Sequence, residues 1–179
     1  MKAIILAAGM GSRIKPLTDN CPKTLLEIGG ISILERMLSN IQVCGISEVI
    51  IVLGYLQEQI EDFVGNTFPD LDVHFIINTR YTETNTGYSL MLTEDLVKGA
   101  PFVKFDADVV FDREILEKLL ASNDKNCLCI DKNIQLDAEE IKVVVRDGNR
   151  IVSASKTVLP CNAIGESIGI EKICVETAD

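Results

Sequence analysis

Residues 2–23 read KAIILAAGMGSRIKPLTDNCPK, and the meaning of this stretch decides the fold. A single lysine precedes a short apolar run at residues 4–8, which gives way to Gly9, Gly11, Arg13 and Lys15. A secretory leader would need a longer apolar segment and a small-residue cleavage site. A glycine turn and cations follow instead, so the run reads as a first, buried β-strand. Gly9 and Gly11 at its end let the chain turn sharply and bring backbone N–H groups close to a ligand. The third glycine of the dinucleotide fingerprint is missing, because Ile14 stands in its place, and the Walker pattern is absent too. What remains is G-x-G-x-R backed by cations. Arg13 offers a planar fork for phosphate oxygens and Lys23 a compact charge. Pro16 and Pro22 are expected to hold the segment between them in an extended path.

Outward from this stretch, short apolar runs alternate with amphipathic segments. Strands are expected at residues 2–6, 48–53, 73–77, 102–105 and 126–130, and helices at 32–43, 57–64, 86–97 and 112–121, the last with Asp112 as N-cap. This order predicts an α/β, Rossmann-like fold with a mostly parallel central sheet and helices on both faces. After about residue 138 the pattern changes to a small β-hairpin around Asp147-Gly148-Asn149. No linker or internal repeat divides the chain, so residues 1–179 read as one domain.

Composition narrows the function classes. The net charge of −10 argues against a nucleic-acid partner. It is unevenly spread: residues 1–26 hold four cations against Asp19 alone, a local +3, leaving −13 on the remainder. A cationic opening on an acidic chain suggests a local anion site. The apolar run at residues 49–53 is far short of a membrane span, so no membrane insertion is expected. Six cysteines without a CxxC spacing, with one histidine, suggest reduced buried thiols and a cytoplasmic protein rather than a zinc site. Ligands of open α/β sheets lie beyond the carboxyl ends of the strands. Two features fall there: the glycine loop, and Asp106 and Asp108 after the strand at 102–105. Neighbouring carboxylates at a strand end suit a hard cation such as Mg²⁺.

Leu6, Ala7, Ala8, Gly9, Gly11, Arg13, Pro16, Leu17, Thr18, Pro22 and Lys23 together form a pattern that resembles the signature of the sugar-phosphate nucleotidyltransferase family. The resemblance implies transfer of a nucleoside monophosphate from a triphosphate to a phosphorylated or phosphonate small-molecule acceptor, with release of pyrophosphate. Carried over to this chain, it implies nucleotide contacts from Leu6, Ala7, Ala8, Gly9, Gly11 and Ser12, catalytic roles for Arg13 and Lys23, and Mg²⁺ held by Asp108 with Asp106 near the nucleotide. It also implies base contacts from Asn85 and Ser89, although plain helix capping explains Asn85 equally well. Gly165, Glu166 and Gly169 resemble an acceptor-side loop, with Glu166 and Lys156 as acceptor contacts. Asn85 ahead of Tyr-Ser-Leu resembles the branch that uses CTP with phosphocholine, inositol phosphate or 2-aminoethylphosphonate. A sugar-1-phosphate uridylyl- or thymidylyltransferase and a non-catalytic nucleotide-binding relative are the alternatives. A homo-oligomer is compatible with the resemblance. Family members continue past this block to a late acidic motif with a second metal ligand. After Lys172 the only acidic residues are Glu176 and Asp179, outside such a motif. The expectation is therefore a form truncated at the C-terminus, with weak turnover by itself.

Overall fold

The computed structural model describes residues 1–174. The C-terminal acidic residues Glu176 and Asp179 lie outside the described residues.

The first apolar run forms β1 (Lys2–Ala7), and it sits at the centre of the sheet because both of its faces are apolar. Ala3, Ile5 and Ala7 face one layer of helices, whereas Ile4 faces the other. A short ribbon of β2 (Glu27–Ile28) and β3 (Ile31–Ser32) leads into α1 (Ile33–Val43). Ser32 caps this helix by accepting from the Glu35 amide at 3.1 Å, and Leu34, Met37, Leu38 and Ile41 bury its inner stripe. β4 (Glu48–Leu53), α2 (Gln57–Thr67) and β5 (Asp72–Ile77) follow. Next come α3 (Thr86–Met91), α4 (Glu94–Val97), β6 (Phe102–Asp106), α5 (Arg113–Ala121) and β7 (Cys127–Asp131). The described chain ends through β8 (Lys142–Arg146), β9 (Arg150–Ser155) and β10 (Gly165–Ile173).

The sheet runs β5-β4-β1-β6-β10-β8-β9, with β7 also paired to β10. Its first four strands are mutually parallel. α1, α2 and α5 bury Leu34, Ile60 and Leu116 on one face, and α3 and α4 cover the other around Ile4, Ile50, Val52 and Phe102. The α/β architecture with a parallel centre and two helical layers is as expected.

Three local expectations are corrected. The single helix over 86–97 is broken. The Thr93 hydroxyl and amide both bond the Leu90 carbonyl, at 2.7 and 3.0 Å, and so take the acceptor that a continuing helix would offer to Glu94. Asp112 does stand at the N-cap of α5, but its side chain makes no capping bond. The GESIGIEKI block is not a loop but the strand β10, antiparallel to β6, β7 and β8. The β8–β9 hairpin is therefore joined to the sheet through β10. A bulge between Ser167 and Glu171 interrupts the β10 register, and Gly169 within it has φ +76°.

Candidate functional site

At the carboxyl ends of β1, β5 and β6 the chain encloses a cleft of about 710 Å³. Its floor is the glycine loop. Gly11 has φ +61°, and a Cβ there would stand 2.9 Å from Thr18 Cγ2 and 3.2 Å from Lys23 Cβ, so only glycine fits. A Cβ on Gly9 would meet no protein atom and would project into open space, which leaves the loop backbone bare to a ligand. The fully buried Thr18 donates its hydroxyl to the Gly11 carbonyl at 2.9 Å and folds the loop back on itself. Tyr55 Oη reaches the Asp19 and Thr18 carbonyls, at 2.8 and 3.0 Å. The stretch between Pro16 and Pro22 is thus not extended as expected. It winds through tight turns from Gly11 to Asp19, because each carbonyl at Gly11, Ile14 and Pro16 accepts from the amide three residues on.

Most of the residues singled out from the sequence converge here. Leu6, Ala7, Ala8, Gly9, Gly11, Ser12, Arg13, Lys23, Asn85, Ser89, Asp106 and Asp108 all line this one cleft. The cations and the carboxylates meet in it. Lys23 Nζ is hydrogen-bonded and ion-paired to Asp108 Oδ2. Arg13 is four-fifths exposed and comes within 3.6 Å of Glu139. Asp106 is held differently, by Lys104 at 2.8 Å. Lys104 is almost buried in β6 and also reaches Glu171 on β10 at 3.4 Å. A Cβ on Gly169 would overlap the Asp106 carboxylate, so the bulge glycine makes the space in which that group sits. The two aspartates therefore have different partners: Asp106 is fixed from within the sheet, and Asp108 from the cleft.

A second cavity, of about 600 Å³, shares Asp106 and Asp108 with the first. Glu166 and Asp131 add two more carboxylates, and Val109, Phe111, Ile115 and Ile168 form an apolar wall. No cation lines it. The Glu166 carboxyl is pushed above the ordinary carboxylate range by burial first, then by the charges of Glu140, Asp131 and Asp137. Its Oε2 is buried and has no hydrogen-bond partner among the described residues. Lys156 lies outside the lining of both cavities. It follows β9 and pairs at 3.3 Å with Glu139, the same carboxylate that approaches Arg13.

Among the described residues no group of three or more His, Cys, Asp or Glu side chains converges as a metal centre. A Mg²⁺ ion does not need one, since it takes one or two carboxylates and completes its shell with phosphate oxygens and water. Asp108, a hard oxygen donor that lines the cleft with Arg13, fits that demand; Asp106, which Lys104 holds from within the sheet, fits it less well.

Three residues not singled out from the sequence belong to the cleft. Asn78, at the end of β5, is 1% exposed and binds both Thr84 and Ser89 through its amide, at 3.0 Å each. Thr24, next to Lys23, is 3% exposed, and its hydroxyl has no partner among the described residues. Tyr81 leans against Gly54, where any Cβ would stand 2.8 Å from the tyrosine side chain. Asn85 both lines the cleft and caps α3, its Oδ1 accepting from the Tyr88 amide at 3.2 Å.

Residues 3–153 match a family model described as a MobA-like NTP transferase domain. A choline-phosphate cytidylyltransferase of Haemophilus influenzae is 42% identical over 115 residues, which is 64% of this chain and 47% of that protein. A CTP:phosphoglutamine cytidylyltransferase of Campylobacter jejuni is 31% identical over 138 residues, 74% of this chain and 53% of that protein. The chain spans about half or less of the length of the curated relatives it matches. The inositol-1-phosphate CTP transferase from T. maritima superposes with a TM-score of 0.84 at 23% identity, over 99% of this chain and 71% of that one, which is a likeness of fold.

Proposed function

Because the chain belongs to the MobA-like NTP transferase family, we propose that it transfers a nucleoside monophosphate, CMP from CTP, to a phosphorylated or phosphonate small molecule. The observation that carries this reading is the meeting of the glycine loop, Arg13, Lys23 and Asp108 in one cleft. An acceptor oxygen attacks the α-phosphorus in line. The new P–O bond forms as the bond to the bridging α–β oxygen breaks, and pyrophosphate leaves with that electron pair. Catalysis of this kind rests on positioning and on charge placed where the transition state builds it up. The bare backbone around Gly9 and Gly11 cradles phosphate oxygens, Arg13 holds the departing pyrophosphate, and Lys23 faces the α-phosphate. Asp108 would hold a Mg²⁺ ion, which when bound neutralises phosphate charge. Lys23 then has to leave Asp108 for the nucleotide.

The second cavity supports an acceptor with a positive charge remote from its phosphate. Asp131 and Glu166 add negative charge there beyond what the Lys23–Asp108 and Lys104–Asp106 pairs offset, and this favours a cationic head over a neutral polyol. The choline-phosphate cytidylyltransferase of Haemophilus influenzae, named for a cationic acceptor, supports this reading. Two measurements test the reading. Calorimetry with CTP in magnesium buffer should give saturable binding at the cleft; no binding of any nucleoside triphosphate would end the proposal. A pyrophosphate-release assay should then favour phosphocholine or an aminoalkylphosphonate over inositol phosphate.

A further inference from the structure

The buried amide of Asn78 fixes the direction of hydrogen bonding along one wall of the cleft. The Arg80 backbone N–H can only donate, and it lies 2.9 Å from Asn78 Oδ1. The opposite side of the amide must then be Nδ2, which can only donate, and it faces Ser89 Oγ and Thr84 Oγ1 at 3.0 Å each. Thr84 passes its own hydrogen to the Arg80 carbonyl at 2.8 Å, so it has no hydrogen left for a ligand. Ser89 is different. It is 5% exposed and lines the cleft, and among the described residues its Oγ takes part only in the bond it accepts from Asn78. Its hydrogen therefore remains for a ligand. Asn85 points the same way: its Oδ1 is held by the Tyr88 amide, which leaves the NH₂ side to donate.

We propose that Asn78 is a positioning residue that makes this wall a row of donors, and that it thereby selects a base with adjacent ring acceptors. Cytosine offers O2 and N3 side by side. Uracil and thymine carry a hydrogen on N3, which Ser89 can accept only by turning its own hydrogen away from the base, on the one lone pair that Asn78 leaves it. A site built to hydrogen-bond discriminates strongly against a ligand that leaves its buried groups unpaired. The inference rests on the nucleotidyltransferase reading and extends it to the choice of base.

The test compares CTP and UTP affinities by calorimetry for the whole chain and for two variants. The wild-type chain should prefer CTP. Asn78→Asp keeps the shape but replaces Nδ2 with an acceptor, so Ser89 turns its hydrogen inward and offers a lone pair to the base. The CTP:UTP affinity ratio should fall by about tenfold or more, the scale of one hydrogen bond reversed. Ser89→Ala, which leaves Asn78 in place, should bring the ratio close to one. A purely structural role for Asn78 would weaken both nucleotides equally in Asn78→Asp and leave its ratio unmoved, whatever Ser89→Ala does, and that result overturns the proposal, as does a wild-type preference for UTP. Failure of the underlying reading looks different: the wild-type chain would then bind neither nucleotide.

Discussion

Replacing Lys104 by methionine removes the cation that the structure places between Asp106 and Glu171. Its side chain is only 9% exposed, whereas the two carboxylates are 36% and 33% exposed. Removing one partner of a fully buried ion pair costs 3–5 kcal/mol, because a charge is left uncompensated. Water reaches about a third of each carboxylate here, so roughly half of that, about 2 kcal/mol, is the expected loss. For a domain of this size each kcal/mol lowers Tm by about 2–4 °C, giving a drop of about 4–8 °C. Thermal unfolding followed by circular dichroism measures it. Because the lysine is out of water, the drop should persist at about 1 M salt, where exposed pairs are screened. Lys104→Arg should keep most of the stability, and adding Asp106→Asn to the methionine variant should recover part of it. A drop below about 2 °C, less than 1 kcal/mol implies, would refute the idea that this lysine anchors Asp106.

Lys23→Ala should lower kcat by about 10²-fold or more while shifting the CTP dissociation constant much less, as steady-state and binding measurements together will tell; equal losses would mark Lys23 as a ground-state contact. The Glu166 carboxyl is raised by burial, so its ionisation opposes folding, and the penalty is absent below its ordinary value of about 4.3 and grows as pH rises through it. Glu166→Gln should accordingly melt close to wild type near pH 4 and above it at neutral pH, a difference that scanning calorimetry across pH will register. Thr24→Val removes a buried hydroxyl without a partner among the described residues and should raise stability by about 1 kcal/mol in urea titrations. Burial, together with the charges of Cys127 and Glu171, pushes the Cys129 thiol up to about 11, whereas Cys161 is exposed. Alkylation at neutral pH followed by peptide mass mapping should find Cys161 modified long before Cys129.

Much of this was legible in the chain itself. β1 and β4 read as buried strands because their apolar runs are short, unbroken and bounded, and α1 because its stripe and its Ser32 cap agree. Gly9, Gly11, Arg13 and Lys23 carried the cleft because each has a chemical reason to follow a strand in that order. β10 was hidden because Gly165 and Gly169 break its alternation at the points where it meets Asp131 and Asp106. Lys104 had a signal that went unread. A lysine within an apolar strand needs a partner, and Asp106, two residues on, shares its face of the sheet. Asn78 had none, since one asparagine in a polar stretch acquires meaning only when the end of β5 and the start of α3 come together.

The position of β10 has a consequence for how the molecule is made. β5, β4, β1 and β6 need nothing beyond residue 106 to pair, so the parallel half of the sheet can assemble while later residues are still being synthesised. β7 has no such freedom. Among the described strands it pairs with β10 alone, and the β8–β9 hairpin also reaches the sheet through β10, whose residues emerge last among them. Until then β6 presents a bare edge and the Lys104–Asp106 pair lacks Glu171, so the nascent chain carries its glycine loop before it has the wall of the second cavity that β10 supplies. That open edge is the place where a stalled or misfolding chain would seek a strand from another copy.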